Sequence, residues 1–182
     1  KEVSERYTTL KTQHDDLVAA EEKLAGIILD LDQAMREQFK TNFVIIQQNF
    51  NRVFAELFGG GKGTLELMED ADILDAGIRI IAQPPGKQLK NINLMSGGEK
   101  TMTAIALMFA VLKTKPTPCC ILDEVEAALD DHNIHVFANY LKKFENIQFT
   151  LITHQKTTME HADVMYGVTM PERGISKVFS LR

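Results

Sequence analysis

Of 182 residues only two are cysteine, Cys119 and Cys120, adjacent in an apolar run. Neighbours in a strand point to opposite faces, so the two do not bridge each other. Without a disulfide framework, the expectation is a pair of buried thiols in a reducing cytoplasm. No run approaches the roughly 20 apolar residues of a membrane span, and no signal peptide is visible, so no membrane partner is expected. Positive charge is not in excess: 20 Lys and Arg face 25 Asp and Glu, for a net charge of −5. That excludes a global electrostatic footprint for nucleic acid and leaves only a local basic patch. Internal repeats are absent. So is an initiator Met: the sequence opens in helical register with KEVSERYTTL, as expected of a piece of a longer chain.

Glycine and proline are also missing from the first 58 residues, apart from Gly26. What fills that stretch is a heptad. Val3, Leu10, Leu17, Leu24 and Leu31 recur every seventh position, and Tyr7, His14, Glu21, Ile28 and Met35 take the alternate seam position. This predicts a long coiled-coil helix whose seam, carrying polar His14 and Glu21, needs a partner strand. An amphipathic helix on a globular core is the plainer reading, and the sustained heptad in a charge-rich surface favours the coil. Past Phe39 the pattern turns aromatic, with Phe43, Phe50, Phe54 and Phe58, where the helix is expected to enter a globular body. The boundaries drawn are 1–55 for coiled-coil helix and neck, and 56–182 for the body. Within the body, strands are expected at 64–68 and 77–82 around the acidic turn 69–72. Pro84-Pro85-Gly86 is a break, and a helix from Ser96 to about Lys113 follows. A buried strand at 119–122, a helix at 133–144, a strand at 148–153, a helix at 156–162 and strands at 164–170 and 176–181 complete the chain. Helices alternating with short apolar strands predict an α/β fold with a partly parallel sheet.

A phosphate-binding loop is missing too. Gly59-Gly60-Gly61-Lys62-Gly63-Thr64 resembles one superficially. The loop requires Gly, four residues, then Gly-Lys-Ser/Thr. Here Gly63 stands at the hydroxyl position and Glu56 at the leading glycine, so the run reads as a turn between helix and strand.

Four other motifs carry chemistry. Ser96-Gly97-Gly98-Glu99-Lys100 begins as a capping box, with Ser96 at the N-cap and Glu99 at the third helical position. Two glycines in the first turn exceed that need, at up to about 1 kcal/mol each relative to Ala. They uncover backbone N–H groups at the positive helix end, which suits a polyphosphate. Cys119-Cys120-Ile121-Leu122-Asp123-Glu124 describes a strand ending in two acids, where α/β sheets collect ligands. Asp123 could hold Mg2+ and Glu124 could deprotonate a water, or both could be solvated acids at a strand end. Asp130 follows within a few residues. Ile152-Thr153-His154 ends the next strand, so His154 is aimed at the same crevice, although a lone His there is usually incidental.

In this order the four motifs resemble the signature, Walker B, D-loop and switch histidine of the ABC ATPase superfamily. The coiled coil, Leu122–Asp130 and Asp163–Met170 are similar to the carboxy-terminal head lobe of bacterial SMC proteins, the chromosome-condensing ATPases. Met95 departs from the leucine usual before the serine, a volume-conserving change. The resemblance covers the whole chain and implies an ABC-type (SMC-like) head lobe behind a long coiled-coil helix. It implies ATP and Mg2+ as cofactors, with Asp123 serving the metal, Glu124 as catalytic base and His154 assisting at the γ-phosphate. Ser96, Gly97, Gly98 and Glu99 would face ATP on the opposite head, and Asp130 would couple the two sites. It further implies an N-terminal lobe of the same chain, a second head in a homodimer, a kleisin subunit and DNA as partners, nucleoid association, and no hydrolysis by this piece alone. The alternatives are a coiled-coil ABC ATPase of recombination or double-strand-break repair, a transporter subunit, and a structural adaptor with a degenerate fold. The leading coil argues against the second, and the intact Asp123-Glu124 pair against the third.

Overall fold

The computed structural model describes residues 2–68, 72–88 and 90–181. They form two compact units, one of Lys1–Val44 with Asp70–Ala76 and the other of Ile45–Glu69 with Gly77–Arg182. Helix α1, Glu2–Phe58, runs through both. In the first unit the heptad seam is exposed: Val3, Leu10, Leu17, Leu24 and Leu31 are all more than half accessible. The guanidinium of Arg36 donates to Asp32 one turn earlier and to both oxygens of Asp72. The Arg36 bonds to Asp72, and then the Leu74 N–H, hold the Asp72 carboxyl down to about 2.

The second unit begins where α1 turns aromatic. Phe50, Val53, Phe54 and Leu57, spaced as i, i+3, i+4 and i+7 on one helical face, are buried. The helix ends because Gly59 takes a left-handed φ of 68° and the Gly60 N–H closes on the Ala55 carbonyl, a Schellman arrangement. Gly61 also has positive φ. At Gly63 an added Cβ would lie 2.8 Å from the Phe50 ring and 3.0 Å from Phe54. The glycine run is therefore a turn that lets strand β1, Lys62–Leu67, lie on the aromatic face of α1.

β1 pairs antiparallel with β2, Ile78–Gln83, which pairs with β3, Lys90–Asn91. β3 and the 3-10 turn Ile92–Leu94 after it fall where the sequence offered only a break. Helix α2, Gly97–Thr114, follows, then β4, Cys119–Asp123, α3, Asp131–Leu141, and β5, Gln148–Ile152. β4 and β5 are parallel in register from Cys119↔Gln148 to Asp123↔Ile152. A short helix α4, Lys156–Glu160, leads to the antiparallel pair β6, Met165–Glu172, and β7, Ile175–Leu181.

The core sits where α2 and α3 meet. Phe109 is fully buried, with Phe137, Tyr140 and Phe144 rings centred 6.0, 5.0 and 5.4 Å away. Asn49 on α1 donates to Thr114 on α2, and Lys143 reaches Glu56 at 3.0 Å, tying the last turns of α1 to this core.

One expectation is corrected. β4 is not a buried strand and its thiols are not both buried: Cys119 is exposed and Cys120 half-buried. Only Leu122 is withdrawn from solvent, and Ile121 is 71% exposed. The pleat explains this. Cys120, Leu122, Phe149 and Leu151 share the covered face, whereas Cys119, Ile121, Asp123, Gln148, Thr150 and Ile152 share the exposed one.

Candidate functional site

The sequence motifs gather into two clusters in the second unit. The first lies at the carboxyl ends of the parallel strands. Asp123 is the last residue of β4, with its side chain on the exposed face. Glu124 follows, held by its N–H to the Ile152 carbonyl at 2.9 Å. Its φ of +46° makes it the one non-glycine residue in the left-handed region among the described residues. That conformation costs an ordinary side chain about 1–2 kcal/mol and concentrates at working sites. It turns the chain sharply at the strand end. The Glu124 carboxylate then meets Nδ1 of His154, two residues past β5, at 3.3 Å. Both side chains are more than half exposed. A carboxylate and an imidazole in contact, open to solvent above the ends of parallel strands, can take a proton from a bound water and pass it on.

The loop behind this pair is tightly wound. Ala127 N–H returns to the Glu124 carbonyl, and Leu129 N–H to that of Glu126. It ends at Asp130, whose carboxylate accepts from the Asn133 N–H at 2.8 Å and caps α3. Asp130 therefore has a local structural duty whatever else it does.

The second cluster is the first turn of α2. Ser96 is the N-cap, and the Glu99 carboxylate accepts from its N–H at 3.1 Å and its hydroxyl at 2.8 Å. The other Glu99 oxygen binds Lys87 Nζ at 2.7 Å. Lys87, then the Ser96 N–H and hydroxyl, pull the Glu99 carboxyl down to about 2. The two glycines have different surroundings. Gly97 has open space around it, whereas a Cβ on Gly98 would touch the Ala128 carbonyl at 3.4 Å. At Gly98 the helix start lies beside the loop of the first cluster, and Gly97 leaves backbone N–H groups uncovered at the positive helix end. No hydrogen bond or ion pair joins the two clusters directly among the described residues.

As for a metal, no group of three or more His, Cys, Asp or Glu side chains is arranged to hold one among the described residues. Asp123 offers a single exposed carboxylate. That suits Mg2+, which is commonly held by one or two carboxylates together with substrate phosphates. Three residues at the clusters escaped sequence reasoning: Lys87, Glu126 and Thr158. Glu126 alone carried a signal, an acid flanked by the apolar Val125, Ala127 and Ala128.

A long helix running into an α/β body matches the solved heads of SMC proteins. A chain from a study of ATP-driven dimerization and DNA stimulated activation of SMC ATPases superposes with a TM-score of 0.72 at 39% identity, covering 81% of this chain and 89% of that one. The Smc head with an extended coiled coil bound to the C-terminal domain of ScpA, derived from Pyrococcus furiosus, matches with a TM-score of 0.72 at 39% identity, over 98% of this chain and 45% of that one. The family described as RecF/RecN/SMC N terminal domain matches residues 13–177, and the chain belongs to it. Chromosome partition protein Smc of Bacillus subtilis is 53% identical over 99% of the chain, and that of Clostridium kluyveri 51% identical over 100%. The chain spans about 15% of the length of these relatives. Among the described residues, no helix is long and apolar enough to cross a membrane.

Proposed function

We propose that this chain is the carboxy-terminal lobe of an SMC head, with residues 1–55 as coiled-coil helix and neck and 56–182 as the lobe. The whole protein hydrolyses ATP between two heads and uses the cycle to partition chromosomes. The single observation that carries this reading is the 3.3 Å contact of Glu124 with His154 at the ends of two parallel strands, on a residue held in left-handed backbone. Glu124 is the general base that takes a proton from the attacking water, and His154 orients that base and assists at the γ-phosphate. Asp123 is the carboxylate for Mg2+, which when bound supplies charge to the phosphates. Ser96, Gly97, Gly98 and Glu99 face the γ-phosphate of ATP held by the second head, with Glu99 steering the Ser96 hydroxyl. Asp130, through its loop, lies at the interface between heads.

The missing parts of the site fit a split head. No Gly-x4-Gly-Lys-Ser/Thr loop exists in the chain. The exposed face of β4–β5 carries Ile121 and Ile152, and the β6–β7 pair exposes Tyr166, Val168, Met170, Ile175 and Val178. Apolar surface of that extent calls for a cover, and the N-terminal lobe of the same protein, which brings the phosphate loop, is the cover proposed. The exposed heptad seam of α1 likewise calls for a second strand of coil. A kleisin partner is supported by the relatives solved with ScpA, and DNA as substrate by relatives named for chromosome partition. Those names also favour chromosome partition over recombination or break repair.

The test supplies the N-terminal lobe in trans. This chain alone is expected to turn over no ATP, and the two lobes together to bind and hydrolyse it. In the assembled protein Glu124→Gln is expected to bind ATP and hold heads together without hydrolysing. Ser96→Arg is expected to bind ATP without joining heads. Substantial turnover by the isolated chain, or wild-type hydrolysis by Glu124→Gln, overturns the reading.

A further inference from the structure

In the loop that follows Glu124 lies an acidic side chain that has no part in the chemistry proposed so far. Glu126 is 1% exposed, the only acidic or basic side chain buried among the described residues. Its Oε1 accepts a hydrogen bond from the Thr158 hydroxyl at 3.0 Å, and Thr158 is itself 5% exposed. Its Oε2 is buried with no partner among the described residues. The cost of such an arrangement is high. Withdrawing a carboxyl from water takes several kcal/mol unless cations or several donors replace the solvent, and one neutral hydroxyl replaces little. An apolar side chain of the same length would fill the space without that penalty. The residue is therefore a poor stabilising device, and its use lies in what it connects.

The connection is specific. Glu126 stands two residues after Glu124, in the loop whose turns close on the Glu124 and Glu126 carbonyls. Thr158 stands on α4, four residues after His154, and the Gln155 N–H bonds the Thr153 hydroxyl across His154. Glu124 and His154 come from different strand ends; the Glu124 N–H on the Ile152 carbonyl fixes the backbone there, but between the exposed side chains only a weak surface contact acts. The Glu126–Thr158 bond is a buried tie between the two segments that carry them.

We propose that Glu126 is a positioning residue, which with Thr158 sets the separation of Glu124 from His154 by tying the loop after β4 to α4. This rests on the reading of Glu124 as the base. A hydrogen bond in a dry site is geometrically strict, so its loss lets one segment drift against the other. Displacements of order 1 Å at reacting groups can cost as much as about a hundredfold in rate. Substrate binding, which needs neither side chain, is untouched.

The test uses the full-length protein with DNA present, measuring kcat and KM for ATP and the thermal midpoint. Glu126→Met keeps the volume and removes the tie. It is expected to lower kcat about tenfold or more, leave KM within about twofold, and leave the midpoint unchanged or higher. Thr158→Val is expected to lower kcat likewise with KM held, at a lower midpoint because it strips the buried Glu126 carboxyl of its one donor, and the double variant is expected to be no slower than either single one. Glu126→Gln, whose amide oxygen still accepts from Thr158, and Thr158→Ser, which still donates, are expected to stay within about threefold of the parent. Full activity in Glu126→Met beside an inactive Glu124→Gln overturns the tie and leaves the base standing. A Glu126→Gln as slow as Glu126→Met overturns it as well, because charge rather than the bond would then matter. Wild-type hydrolysis by Glu124→Gln overturns the base, and the tie with it. Should Glu126→Met fail to fold, Thr158→Val decides by the same split between kcat and KM.

Discussion

The left-handed backbone of Glu124 makes a prediction in which the sign alone decides. Compare Glu124→Gly with Glu124→Ala. Both remove the carboxylate and the exposed contact with His154, so those losses cancel between them. What remains is backbone. At φ +46° an alanine keeps the strain of about 1–2 kcal/mol that any Cβ meets there, and glycine releases it. Against that, glycine loses more chain entropy on folding, about 0.5–1 kcal/mol relative to alanine. The difference favours glycine by roughly 0–1.5 kcal/mol, centred near 0.75 kcal/mol. With a urea slope of about 2 kcal/mol per molar, the glycine variant unfolds at a midpoint about 0.4 M higher than the alanine variant, and up to about 0.75 M. At an ordinary loop, helix or strand position the order is reversed. Equilibrium urea unfolding followed by circular dichroism measures it. A glycine variant less stable than the alanine variant would refute the strained conformation, and with it the argument that the strand end is bent for a purpose. In the assembled ATPase both variants are expected to be inactive, so stability and activity part company at this position.

Three further outcomes follow from packing and charge. Phe109→Ala empties the centre of the aromatic cluster and is expected to cost about 3–5 kcal/mol in urea unfolding; a loss under about 2 would mean the cluster is not the core. Gly63→Ala drives a methyl into Phe50 and Phe54 and is expected to cost about 1–3 kcal/mol, a fall of roughly 3–10 °C in the melting midpoint. The Glu99 carboxyl lies at about 2 in the fold against an ordinary 4.5, chiefly through Lys87. A depressed carboxyl contributes stability that is fully present above pH 4.5 and lost as pH falls from 4.5 to 2. The contribution is that of a surface pair, about 0.2–1 kcal/mol, and Lys87→Met is expected to shrink it and to move the Glu99 titration upward when followed by carboxyl NMR.

Much of the fold is local and therefore legible from the chain alone. The heptad and the aromatic interval that follows it predict α1 through residue 58. Alternation of short apolar runs with helical faces predicts the order of α2, β4, α3, β5, α4, β6 and β7. Turn chemistry explains why Gly59–Gly63 is a corner and not a phosphate loop: the left-handed glycines and the close approach of Phe50 and Phe54 are local demands. β3 was not legible because two residues carry no period.

The site divides the same way. Residue types and their order single out Asp123, Glu124, Asp130, His154 and the turn at Ser96–Glu99, because each motif is a few consecutive residues whose chemistry depends on its neighbours in sequence. Only the tertiary structure decides that Glu124 and His154 touch, that Gly98 is a contact with Ala128 while Gly97 is open, and that Lys87 holds Glu99. Only it exposes one face of β4, which composition predicted to be buried, and buries Glu126, which composition would leave in solvent. The reason is physical: hydrophobic pattern and capping act over a turn or two of chain, whereas burial and long-range hydrogen bonds depend on which segments the fold brings together, 32 positions apart for Glu126 and Thr158.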